Sequence, residues 1–284
     1  PAIAKMQALR DAAPNQPFRF LGLGTVLFPN TNAVFGLPDV RVHDPMASGR
    51  YIGFLRNVTK GYNPSDYFAQ WTDADTTMLD FLGVRYVLTL PQTTSMDPAH
   101  YKVVYDGKDA MLFENRNWRP RFFPMWAIYL DFKGDAFIHH LLNINDWTRE
   151  AVLRRLPVEN DRERQDLLAP RSPSARVAKV EIVRASDTDY RLRVDAPRYT
   201  LITSSIPFWA GWKVTQNGRT LRPLEVDHTF FGFVVRPGVS EVRVWYAPPT
   251  FWVSAWLSLL TLAAIVALSR ESLRSRLRTR LRMG

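Results

Sequence analysis

The sequence predicts an α+β protein: a mixed α/β domain, then an antiparallel β-sandwich, then one C-terminal transmembrane helix. Three observations predict this. Strand-like and helix-like segments alternate over roughly residues 1–150, short alternating strands follow over about 177–247, and an uncharged apolar run closes the chain. The predicted parts are the mixed domain 1–156, a linker 157–176, the sandwich 177–247, the membrane helix 250–269 and a basic tail 270–284.

The N-terminal half is predicted as helices and strands bounded by caps and turn residues. The helix predicted at 46–58 places Tyr51, Phe54 and Leu55 on one face. In chain order, the predicted elements are a helix at 4–12, a strand at 18–22, a turn or short helix at 29–36, a strand at 40–43, a helix at 46–58, a helix at 78–82 after a cap at 75–77, a strand at 85–90, a hairpin of 101–105 with 110–114, a strand at 121–130 and a helix at 147–156.

The sandwich is predicted from strict alternation between turn signals. Tyr190, Leu192 and Val194 alternate with charged residues, as expected for strands with one buried face. Asn217-Gly218 is the strongest short hairpin signal. The polar, proline-bearing stretch 159–176 before these strands predicts a linker.

The C-terminal run from Phe251 to Leu268 carries no charge, and as a helix it would be about 27 Å long, close to the thickness of a bilayer. Trp252 and Trp256 lie at its start, where aromatic rings favour the membrane interface. The tail after it holds six arginines and one glutamate, which predicts a cytoplasmic tail and extracytoplasmic domains. The alternative is a buried core helix followed by a basic tail.

Composition limits the function further. The tail supplies half of the net charge of +10, and no nucleic-acid-binding pattern is present, so we predict no nucleic-acid partner. The chain has no cysteine, which excludes disulfide scaffolds, thiolate zinc sites and cysteine nucleophiles. The N-terminal residues do not form a signal peptide. Because the domains are expected outside the cell, an upstream segment would have to deliver them there. We therefore expect the chain to be the C-terminal piece of a longer bacterial membrane protein.

Two groups of residues are candidates for ligand binding. Arg119 and Arg121 would clamp a phosphate or sugar phosphate, and the alternative is a solvated turn before a strand. Trp209 and Trp212 would stack on the C–H faces of a glycan, and the alternative is that both are sandwich core.

Other motifs have simpler explanations. Asp73-Ala74-Asp75 has the form of a metal-binding D-x-D, but an Asp or Thr cap of the following helix explains it without a metal. The loop Gly22-Leu23-Gly24 lacks the third glycine of a dinucleotide fingerprint. The adjacent histidines at 139 and 140 have no carboxylate at ligand spacing. We therefore predict no metal site and no cofactor.

Five phrases in one order resemble a known family: HDPMASGRYIGFL, MLDFLGVRYVLTL, FENRNWRPRFFP, SSIPFWAGWKVTQNG and FVVRPGVSEVRVWYAPPTF. They are similar to the C-terminal region of the bacterial YfhO-like membrane proteins. In that family a polytopic core similar to GT-C glycosyltransferases precedes an extracytoplasmic region. This sequence departs from the family pattern at Phe208–Trp212, where proline-glycine-tryptophan is usual.

The resemblance implies a membrane glycosyltransferase that uses polyprenyl-phosphate-linked sugars and modifies cell-envelope polymers. Its catalytic acid would lie in an early outer loop outside this sequence, so no catalytic residue is assigned here. We expect an accessory part of such an enzyme, with the bilayer, a polyprenyl-phosphate sugar and an envelope glycopolymer as partners. The alternative is a non-catalytic module that binds glycan or a protein partner. A self-contained hydrolase or transferase would need a catalytic constellation that the sequence does not show.

Overall fold

The computed structural model describes residues 1–41, 48–64, 69–74, 76–130, 134–172 and 174–282. The helices in these ranges are α1 (Ala2–Asp11), α2 (Thr31–Val34), α3 (Gly49–Val58), α4 (Thr77–Phe81), α5 (Gly134–Leu142), α6 (Asp161–Leu168) and α7 (Pro249–Arg282). The strands are β1 (Arg19–Gly22), β2 (Tyr62–Pro64), β3 (Ala69–Trp71), β4 (Val84–Thr89), β5 (Tyr101–Asp106), β6 (Met111–Asn115), β7 (Phe122–Pro124), β8 (Ala127–Leu130), β9 (Glu150–Leu153), β10 (Lys179–Ala185), β11 (Asp189–Ala196), β12 (Thr200–Pro207), β13 (Trp212–Gln216), β14 (Arg219–Leu221), β15 (Leu224–Val226), β16 (Phe230–Val235) and β17 (Gly238–Tyr246). The predicted α+β class is confirmed, including the apolar helix at the C-terminus.

The chain divides into two compact units. The first is Pro1–Trp209 with Lys213–Trp245, and the second is Ala210–Trp212 with Tyr246–Gly284. The first contains the two larger sheets of the predicted sandwich and the mixed sheet before them. The second contains α7.

The mixed sheet of the first unit has the strand order β1-β4-β6-β5. β1 runs parallel to β4, whereas β4, β6 and β5 are antiparallel. One side is closed by α1, whose Met6 is fully buried with Phe20 and Leu112. The predicted hairpin at 101–114 is present as β5 and β6.

Two sheets face each other in the sandwich. Their strand orders are β10-β11-β17-β13-β14 and β15-β16-β12-β7. Phe122 on β7 and Tyr190 on β11 bridge them, with ring centroids 5.0 Å apart. Asn217 and Gly218 turn the chain between β13 and β14 with φ values of 48° and 82°, as the hairpin signal predicts.

The second of these sheets is covered on both faces. Phe231 and Phe233 are fully buried on one face of β16. Phe230 is fully buried on the opposite face. The Phe230 ring lies 4.6 Å from Phe81 of α4 and 5.3 Å from Phe54 of α3. Strands buried on both faces lose the polar half of their alternation. This explains why β12 and β16 have near-continuous buried runs.

Three predicted elements of the N-terminal half are wrong. The helix expected at 147–156 is instead β9, which pairs in parallel with β8. The strand expected at 121–130 is broken into β7 and β8, because Met125 donates its N–H to Leu201 O and Trp126 donates its N–H to Arg149 O. The strand expected at 40–43 is a bend at Val40 and Arg41, and its remaining residues lie outside the described ones.

The stretch predicted as a linker contains α6. Asn160 caps this helix by accepting from Glu163 N at 2.9 Å, while the Glu163 carboxylate accepts from Glu159 N at 2.7 Å. The first bond is an N-cap, the second ties the residue before the cap to the first turn, and Leu167 packs into the main core. The boundaries predicted for the mixed domain and the sandwich stay predictions, and the pairing of β7 with β12 crosses them.

The second unit shows why glycine stands at 211. Gly211 has a φ of 122°, and a Cβ there would meet Pro248 Cα at 2.9 Å. Ala247 N donates to Gly211 O at 2.8 Å. A side chain at 211 would therefore clash with the segment that leads into α7.

Candidate functional site

The two arginines predicted to bind phosphate have different surroundings. Arg119 donates from Nη2 to Thr148 Oγ1 at 3.3 Å. Arg121 donates from Nη1 to Ser205 Oγ at 3.5 Å, and its carbonyl accepts from Ser205 N at 3.2 Å. The structure therefore places the two guanidiniums on different partners rather than in one clamp.

A third arginine, which the sequence did not single out, shares the partner of Arg121. Arg19 on β1 donates from Nη1 to Ser205 Oγ at 3.0 Å and from Nη2 to Ser205 O at 2.9 Å. It also donates to Leu82 O. We call Arg19, Arg121 and Ser205 the arginine pair site. It lies where β1, the start of β7 and the end of β12 come together.

The positive charge of this site is not balanced by a bound acid. In the described part of the chain, no carboxylate forms an ion pair with Arg19 or Arg121 within 4.0 Å. The acid that acts on Arg19 from a distance, Asp39, is bound to buried Arg41 at 2.7 Å. Arg121 Nε is buried without a hydrogen-bond partner among the described residues.

The electrostatics follow from burial. Burial first, and the charge of Arg121 second, lower the pKa of Arg19 to about 9. Burial also lowers the pKa of Arg121. Both guanidiniums nevertheless stay charged at neutral pH. The nearby Tyr51 and Tyr190 hydroxyls are neutral there, because burial raises the pKa of each.

The two tryptophans predicted to bind glycan differ in exposure. Trp209 is 50% exposed, whereas Trp212 is 8% exposed and packs its ring 5.2 Å from Tyr246. Of the two, Trp209 alone offers an open ring face. A glycan would therefore meet one indole here rather than a pair.

The outer face of the five-stranded sheet forms a shallow depression of about 830 Å³. Arg191 and Arg243 lie opposite each other on β11 and β17, and Arg193 lies opposite Glu241. Arg243 also binds Asp189 at 2.6 Å. The lining includes three arginines and one glutamate, so this face is cationic.

The weaker motifs agree with their simpler explanations where the structure describes them. Thr76 caps α4 by accepting from Met78 N, and Asp73 pairs with Lys60 at 3.6 Å, while Asp75 lies outside the described residues. A Cβ at Gly22 would meet Val26 O at 1.9 Å, so that loop is closed on itself. Within the described ranges, no group of three or more acidic, histidine or cysteine side chains is arranged to hold a metal.

Two buried acids, Asp80 and Asp227, are not indicated by the sequence patterns. Asp80 Oδ1 accepts from Asn115 Nδ2 at 2.7 Å and lies 3.0 Å from His100 Nε2. Asp227 is fully buried, and its Oδ1 accepts from Val152 N at 2.6 Å. Their partners are 20 to 75 residues away in sequence, so local spacing carries no signal for either.

Of the residues that the structure describes, one helix is long and apolar enough to cross a bilayer. Pro249–Arg270 is 22 residues long with a mean hydropathy of 2.1, and none of it is buried. By length and composition it is able to span a membrane.

Comparison with known proteins finds similarity to one family. Residues 162–258 match the family model described as bacterial membrane protein YfhO. The uncharacterized protein YfhO of Bacillus subtilis (strain 168) is 36% identical over 61 residues, which are 22% of this chain and 7% of that relative. No solved structure matches. Over the matched residues the chain is similar to the YfhO membrane proteins, which confirms the resemblance, and the matched segment spans only a small part of that relative's length.

Proposed function

We propose that this chain is the extracytoplasmic part of a polytopic YfhO-like membrane protein, accessory to a glycosyltransferase core that lies outside this sequence. The observation that carries the proposal is the YfhO match over residues 162–258, which runs through the sandwich strands into the apolar helix. The relative is far longer than the matched segment, which supports a longer protein around this chain. Its donor would be a polyprenyl-phosphate sugar and its acceptor an envelope polymer.

The accessory role is to hold or gate the acceptor near the membrane surface. The cationic outer face supports this role, because Arg191, Arg193 and Arg243 would attract an anionic polymer. Such attraction weakens with salt.

The sidedness can be tested directly because the chain has no cysteine. Lys108→Cys places a thiol at an exposed turn of the first unit, and Thr279→Cys places one in the basic tail. We expect a membrane-impermeant maleimide to label Lys108→Cys in intact cells and Thr279→Cys only after permeabilisation. The reverse pattern would contradict the topology.

The activity is tested with the full-length protein. We expect it to transfer sugar from a polyprenyl-phosphate donor, and we expect the chain described here to transfer none by itself. A full-length protein that is inert with every polyprenyl-phosphate sugar tested would refute the enzymatic part of the proposal.

A second candidate function is a non-catalytic glycan-binding module. The half-exposed ring of Trp209 favours it, because an open indole face stacks on sugar C–H groups. Trp209→Ala should weaken saturable glycan binding while leaving thermal stability nearly unchanged. Trp212→Ala is the matched control, since loss of a buried ring should lower stability instead. Binding that ignores Trp209→Ala would remove this candidate.

A further inference from the structure

The geometry points to the arginine pair site as a binding site for a phosphoryl oxyanion. Two guanidiniums from distant parts of the chain converge on the single hydroxyl of Ser205. Convergence of two like charges opposes folding unless a negative group balances them. The described residues provide no carboxylate at ion-pair distance, and Asp39 and Asp187 act only from farther away, so a bound anion would balance the two charges at close range.

The unused donors fit an oxyanion. Arg121 Nε has no partner among the described residues, and Ser205 Oγ accepts from both arginines. The hydroxyl proton of Ser205 is therefore left to point at a ligand oxygen. Guanidinium forks match the geometry of phosphate oxygens and give charge-assisted hydrogen bonds.

Access to the site is narrow. Arg19, Arg121 and the adjoining Ile206 are partly exposed as whole residues, whereas Ser205 and Arg121 Nε are closed off from solvent. Partial burial strengthens the attraction for an anion, because the local dielectric is lower than that of water. Arg119 is excluded from the site, since its guanidinium is engaged by Thr148.

The phosphoryl oxyanion could come from two sources: free phosphate and the headgroup of a membrane lipid phosphate. Only the lipid arm rests on the proposed function, in which a polyprenyl phosphate is the donor carrier. The site itself is independent of any transfer activity.

The first experiment measures thermal unfolding of the detergent-solubilised chain with sodium phosphate and with sodium chloride at equal ionic strength. We expect phosphate to raise the Tm by about 3 °C at a concentration tenfold above its Kd. Arg19→Gln and Arg121→Gln should abolish this shift. The control Arg184→Gln removes an exposed arginine of β10 and should keep it. An equal phosphate shift in the wild type and in Arg121→Gln would overturn the proposal.

A second variant keeps the test decisive if a glutamine variant fails to fold. Ser205→Ala retains both charges and removes the shared hydroxyl. It should weaken phosphate binding at least about threefold, as one lost charge-assisted hydrogen bond requires. Unchanged affinity, measured by broadening of the inorganic phosphate ³¹P resonance, would overturn the proposal.

The two sources are separated with vesicles. Vesicles that contain polyprenyl phosphate should compete with inorganic phosphate for the wild type, whereas vesicles of neutral lipid alone should not. Competition identifies the lipid headgroup, and its absence beside a retained phosphate shift identifies free phosphate. No response to either source would refute the site. Sugar transfer by a full-length Arg121→Gln variant is measured separately. Loss of the phosphate site would therefore leave the proposed function unaffected.

Discussion

Asp227→Asn should remove a pH-dependent instability from this protein. Asp227 is fully buried in the left-handed turn between β15 and β16, with a φ of 50°. Its Oδ1 accepts from Val152 N, while Oδ2 has no partner among the described residues. Burial raises the pKa of this carboxyl from 3.8 to about 8. The folded protein therefore holds a proton there that the unfolded chain releases.

The sign and the magnitude follow from this difference. The folded-state pKa is raised, so the contribution to stability is fully present below about pH 4 and is lost as the pH rises through about 8. The full difference between the pKa of Asp227 in the unfolded chain and in the folded protein corresponds to about 6 kcal/mol. Between pH 5 and pH 7 the wild type should lose about 2–3 kcal/mol of unfolding free energy, or roughly 3–5 °C in Tm.

The asparagine keeps the important contact and removes the titration. Its amide oxygen still accepts from Val152 N, and asparagine tolerates a positive φ. The adjacent His228, whose pKa is lowered by burial, is present in both proteins, so its titration cancels in the difference.

The assay is thermal unfolding of both proteins at pH 5, 6, 7 and 8. We expect the Tm of Asp227→Asn minus that of the wild type to rise steadily with pH. Glu181→Gln, which removes one carboxylate at an exposed position on β10, is the matched control. Parallel pH profiles for the wild type and Asp227→Asn would refute the reasoning.

Three further substitutions test the fold. Phe230→Ala should cost about 3–5 kcal/mol and lower the Tm, because its ring joins the second sandwich sheet to α3 and α4. Gly218→Val should lower the Tm by a few degrees through backbone strain alone, since its φ is 82° and a Cβ there meets nothing within 4 Å. Leu260→Arg should reduce membrane association in a fractionation assay, because an arginine at a helix centre costs about 2.5–3.5 kcal/mol on insertion.

The sequence patterns predicted the sandwich and the terminal helix well, because both depend on local periodicity. Tyr190, Leu192 and Val194 are buried while their neighbours face outward, as the alternation required. The turn at Asn217-Gly218 has positive φ at both positions for the same local reason.

Long-range packing decided the elements that were mispredicted. Ala151, Val152 and Leu153 form a short apolar run that fits a helix or a strand equally. Pairing with β8 makes it a strand, and no nearby residue signals that partner. β7 and β8 appeared as one strand because the aromatic run is continuous in sequence, although the two halves bond to different sheets.

The candidate site was only half predictable. Arg121 was noticed because it stands in an arginine-rich stretch, but its neighbour Arg19 is distant in sequence and unremarkable in pattern. Ser205, which joins them, lies 186 residues from Arg19. Convergence of this kind depends on the meeting of three strands, which single-sequence periodicity does not encode.

The contribution of β7 to the sandwich has a consequence for dissecting this protein. β7 pairs with β12 through Phe122, Phe123 and Pro124. A fragment that begins at residue 177 would leave that edge of β12 with unpaired backbone groups and would uncover Phe230. Such a fragment should self-associate, and a peptide of residues 118–130 supplied in trans should dock on the vacant edge as a donated strand. If that peptide restores the solubility of the fragment, β7 and β12 pair without a covalent connection between them.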